Sequence, residues 1–93
     1  MPVRRCVLDG ASLHSLNDLY DQLSQQLALP AHFGGNLDAL WDCLSTDVEG
    51  WFEIIWKNAD DSRRTMAQDY ERVLKVFQEL EKERRDFRLK IEP

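Results

Sequence analysis

The 93-residue chain suffices for one domain with one modest core, and its 43% hydrophobic, 10% aromatic composition excludes a disordered polymer. No apolar run approaches the roughly 20 residues that span a bilayer. The net charge of −5 is segregated: all twelve Lys and Arg lie in residues 1–5 and 57–93, whereas residues 6–56 hold eight acids, two His and no base. Such a half-domain repels nucleic-acid phosphates and suits a basic partner.

In chain order, Val3 to Leu8 reads as a short strand closed by a turn at Asp9-Gly10. That apolar stretch is too short for a signal peptide. Cys6 and Cys43 fall in no metal or redox spacing and read as two reduced, buried thiols, so the expected location is the cytoplasm. Ser15-Leu16-Asn17-Asp18 has the Ser-x-x-acid pattern of a helix start, and Leu16, Leu19, Tyr20, Leu23 and Leu27 follow at helical spacing until Pro30. After the loop Ala31-His32-Phe33-Gly34-Gly35, Asn36 caps a second helix reaching about Leu44, with Leu37, Leu40, Trp41 and Leu44 as its apolar stripe.

Residues 51–56, Trp-Phe-Glu-Ile-Ile-Trp, are nearly all apolar, as expected of a central strand covered on both faces. A long helix is predicted from about Thr65 to Arg84, with Met66, Tyr70, Val73, Leu74, Phe77 and Leu80 inward. Phe87 to Ile91 alternates strictly, the pattern of an edge strand with one solvated face. Helical crossovers imply parallel strands. The predicted fold is a single small α/β domain over residues 1–93, a three-stranded parallel sheet packed with three to four helices.

On the second helix Asp38, Asp42 and Ser45 share one side, within about 60° at 100° per residue. Asp38 complements the helix dipole in the first turn, whereas Asp42 has no such local role and repels Asp38. Asp47 and Glu49 extend the acidic surface, and His32, Phe33 and the glycines stand before it. Glu79 and Glu83 form a second acidic i,i+4 pair, with Lys75, Lys82 and Arg84 near enough in sequence to neutralise it. Carboxylates on one helix face do not confront each other across a cleft as acid–base catalysis requires. His14 and His32 lack a nucleophile motif, and there is no phosphate loop or metal-ligand set, so neither catalysis nor a cofactor is predicted.

The stretch from Leu27 to Leu44 resembles the barstar family. That family's motif is an aromatic pair followed by Gly-x-Asn-x-Asp-Ala-x-Trp-Asp, and Phe33, Gly34, Asn36, Asp38, Ala39, Trp41 and Asp42 stand here in register. The likeness extends over essentially the whole chain, through the strand ending at Trp56, the Val73–Phe77 segment and the Glu79/Glu83 pair. It implies a cytoplasmic inhibitor, monomeric when free, of a small basic, guanyl-preferring ribonuclease of the barnase type or of a ribonuclease toxin domain. It further implies that Asp42 places a carboxylate where the RNA phosphate would sit, with Asp38 beside it and Glu79 and Glu83 peripheral. His32 replaces the first aromatic, and Asp47 stands where an aromatic can occur. Two other readings stay open: an immunity or regulatory module whose partner is not a ribonuclease, and a hydrolase using the acidic cluster.

Overall fold

A computed structural model describes residues 3–29 and 35–93. β1 (Arg4–Asp9) turns Cys6 and Leu8 inward. It ends where the Asp9 carboxylate accepts from the Ala11 N–H and the Ser12 hydroxyl, each at 3.1 Å, starting a 3-10 turn over Gly10–Ser12. α1 (Leu16–Leu27) is capped by Ser15, whose hydroxyl accepts from the Asp18 N–H at 3.2 Å, while the Asp18 carboxylate accepts from the His14 N–H at 3.0 Å. α1 closes at Ala28 in the left-handed region, φ 52°; Pro30, the expected stop, lies outside the described residues.

α2 (Leu37–Asp42) continues into a π-helical turn, Cys43–Asp47, three residues beyond the predicted end. β2 (Phe52–Lys57), α3 (Ala59–Met66), α4 (Gln68–Glu83) and β3 (Phe87–Ile91) follow. The sheet is parallel throughout in the order β1-β2-β3, with Cys6 beside Ile54 and Ile54 beside Leu89. The apolar strand is therefore central and the alternating one lies at an edge, as predicted.

Two expectations need correction. The long helix is two helices broken at Ala67, where φ is 52°. α3 escaped notice because only Ala59, Ser62 and Met66 of its eight residues are buried, which leaves no apolar stripe to read. β2 is not covered on both faces. The buried sheet residues Cys6, Leu8, Phe52, Ile54, Trp56 and Phe87 share one face, and the other carries Arg5, Val7, Glu53, Ile55, Arg88 and Lys90, exposed or half-buried. Arg5 donates to Glu53 there at 2.8 Å.

The core centres on Trp56. Its indole N–H donates to the buried Ser62 hydroxyl at 3.0 Å, which donates in turn to the Gly10 carbonyl at 3.2 Å. Tyr70 and Phe77 stack about it with ring centres 5.0 and 5.9 Å away. A Cβ at Gly10 would run into the backbone of Lys57 and Asn58. Helix side chains occupy backbone groups of both sheet edges. Gln26 exchanges two 2.8 Å bonds with the Val7 backbone, and Glu81 accepts from the Leu89 N–H at 3.0 Å. Occupied edges are poor templates for pairing with another chain.

Candidate partner-binding site

The site is built on the arm formed by α2 and the π-turn. Asn36 starts the arm: its side-chain oxygen accepts from the Ala39 N–H at 2.8 Å, so this part of the motif serves the helix itself. Leu40, Cys43 and Leu44 are buried, and half-buried Leu37 and Trp41 pack against the core. This stripe fixes the rotation of the arm and leaves Asp38 and Asp42 exposed, one helical turn apart.

At Asp42 the helix widens. The Asp42 carbonyl accepts from the Thr46 hydroxyl at 2.6 Å and from the Ser45 hydroxyl at 3.3 Å. The turn closes where the Val48 N–H donates to the Cys43 carbonyl at 3.1 Å. Asp47 and Glu49 are exposed at this end, whereas Ala39 and Ser45 are half-buried.

Among the described residues no salt bridge engages Asp38, Asp42, Asp47 or Glu49. An open cleft of about 370 Å³ adjoins the start of the arm, with Leu16, Asn36 and Asp38 in its walls and Arg72 of α4 across it. Cys43 sits close to the acids of the arm: burial first, then the carboxylate of Asp47 and the charge of Asp42, push its thiol up. Both cysteines are free and buried.

Glu79 and Glu83 are exposed on α4, and neither is neutralised by Arg84. That guanidinium is committed elsewhere. It donates to Asp86 and to the carbonyls of Leu44 and Val48 at 2.7 and 2.6 Å, which sets the end of α4 against the end of the arm. The fold thus brings two elements bearing predicted acids together. His32, Phe33 and Gly34 lie outside the described residues. Sequence reasoning missed Thr46 and the role of Arg84. Thr46 carries no motif signal, and the two carbonyls that Arg84 takes lie 36 and 40 positions away in the chain.

Chemically, the arm offers carboxylates from one surface, suited to accepting charge-assisted hydrogen bonds from a partner's Arg or Lys. Among the described residues no group of three or more His, Cys, Asp or Glu is placed to hold a metal, and no helix is long and apolar enough to cross a membrane. The family model described as "Barstar (barnase inhibitor)" matches residues 3–92. A protein of Bacillus subtilis (strain 168) named "Putative ribonuclease inhibitor YrdF" is 35% identical to the chain over 91 residues, covering 97% of this chain and 100% of that protein.

Proposed function

The chain belongs to the barstar family, and from that membership we propose that it inhibits a small basic ribonuclease of the barnase type by occupying its substrate groove. Asp42 mimics the RNA phosphate. It is exposed, unpaired among the described residues and set on a buttressed helix, with Trp41 half-buried beside it. That observation carries the reading: a carboxylate without a counter-ion among the described residues is completed by a partner's cations.

Asp38 lies beside it, Ser45 and Asp47 extend the contact along the π-turn and Glu49 past it, and Glu79 and Glu83 form its rim. His32, Phe33 and Gly34 complete the interface ahead of α2, with Asn36 and Ala39 shaping the helix start. The chain needs no cofactor, acts in the cytoplasm as a monomer and contacts neither nucleic acid nor membrane. The acids on the arm project from one surface instead of facing one another, which favours binding over hydrolysis.

The experiment is RNA cleavage by a barnase-type ribonuclease titrated with the purified protein. Cleavage should stop at one inhibitor per enzyme, and the protein alone should cleave nothing. Undiminished cleavage would refute the reading. Capture of a non-nuclease from the source cell's lysate would favour an immunity or regulatory module on this fold.

A further inference from the structure

The helical arm ends on carbonyls that have no partner within the helix, as every helix does. Here one side chain from a distant element takes them. Arg84 follows α4 directly, and its side chain is only 14% exposed. Its Nη1 donates to the Leu44 carbonyl at 2.7 Å and to the Val48 carbonyl at 2.6 Å. Nε and Nη2 donate to the two oxygens of Asp86, each at 2.8 Å. The guanidinium lies 4.9 Å from the centre of the Phe52 ring.

Asp86 is held as firmly as it holds. It packs on Gly50, where a Cβ would strike its carboxylate. Hydrogen bonding from Arg84, the largest influence, draws its carboxyl below the ordinary aspartate value.

The consequence is geometric. Leu44 lies within the π-turn and Val48 caps its end, Asp47 lies between them, Glu49 follows, and Glu83 immediately precedes Arg84 in the chain. Resting on the inhibitor reading above, we propose that Arg84 is a positioning residue: without touching the nuclease, it locks Asp47 and Glu49 of the arm in register with Glu83 on α4. The fork is needed because a lysine is a compact point charge whose three donors sit on one nitrogen and cannot serve a bidentate carboxylate and two carbonyls together.

The test uses the full chain with Arg84→Met, which keeps much of the apolar stem over Phe52, and Arg84→Lys. Asp86→Asn is a milder variant that leaves the guanidinium in place, should the first two fail to fold. Two readouts are taken where urea curves show the variants folded. The first is amide exchange at Val48, whose N–H closes the π-turn. Exchange should accelerate about tenfold or more beyond what the change in global stability produces, as a local opening does. The second is inhibition of a barnase-type ribonuclease. Arg84→Met should weaken it about tenfold in the wild-type background and hardly at all in an Asp47→Asn/Glu49→Gln background, the non-additivity of coupled groups.

Arg84→Lys should restore neither readout, and Asp86→Asn should move both in the same direction by less. Unchanged Val48 exchange, or an equal loss of inhibition in both backgrounds, would overturn the proposal. A wild-type protein that inhibits no barnase-type ribonuclease would sink the inhibitor reading and the functional half of this proposal, while the exchange data would still decide whether Arg84 holds the arm.

Discussion

Replacing Asp42 by alanine separates binding from folding more cleanly than any other change on the arm. The Asp42 side chain is exposed and is not held by a salt bridge among the described residues. The bonds that shape the π-turn go to its backbone carbonyl, from Thr46 and Ser45, and survive the substitution. Alanine is also the better helix former, so the folded state should be unchanged or gain about 0.5 kcal/mol.

In the complex the same carboxylate would be desolvated among the nuclease's cations, and removing it would leave them buried without a counter-charge. Truncating one member of such a pair costs about 2–5 kcal/mol, or about 30-fold to several thousandfold in affinity. That range comes partly from the barnase–barstar pair of this same family, so it is inherited from the family and independent of this chain's geometry. The assay is the inhibition constant of wild type, Asp42→Ala and Glu83→Ala against one barnase-type ribonuclease, with urea unfolding of all three. Asp42→Ala should lose far more inhibition than Glu83→Ala while its unfolding midpoint stays level or rises. Equal inhibition constants for wild type and Asp42→Ala would refute the phosphate-mimic argument.

Three further outcomes are expected. Association should be electrostatically steered, with an on-rate as high as roughly 10⁸–10⁹ M⁻¹s⁻¹ at low salt that falls steeply with ionic strength; a flat salt dependence in stopped-flow would show the acidic surface to be incidental. Ser62→Ala strands the Trp56 indole N–H in the core and should cost about 1–3 kcal/mol, read as a lower urea midpoint, with no shift counting against the network. Burial pushes the Cys6 thiol from 9.0 up to about 12; a group raised on folding gives its full stability below its unfolded value and loses it above, so unfolding free energy should fall as pH climbs from about 9 toward 12, less so in Cys6→Ala.

The sequence foretold those parts of the fold whose signals are local. Ser15 and Asn36 announced their helices because a capping side chain must sit within three residues of the N–H it accepts from. The placement of β2 and β3 followed from a nearly unbroken apolar run against a strict alternation. The apolar run misled in one respect: Ile55 and Val7 lie on the solvent side of the sheet, so apolar composition overstated burial. The break at Ala67 carries neither Gly nor Pro and could not be read. At the site, the exposure of Asp38 and Asp42 follows from helix period alone. The π-turn does not, because it depends on the Thr46 and Ser45 hydroxyls drawing on the Asp42 carbonyl and on Arg84 reaching in from the far end of the chain.

The central claim is that the acidic arm and RNA compete for one groove. The most direct measurement is binding of the protein to a barnase-type ribonuclease already holding a non-cleavable oligonucleotide, followed by titration calorimetry at several oligonucleotide concentrations. The apparent dissociation constant should rise linearly with free oligonucleotide concentration, with no ternary complex at any ratio. A stable complex of protein, nuclease and oligonucleotide, with affinity independent of occupancy, would contradict the account.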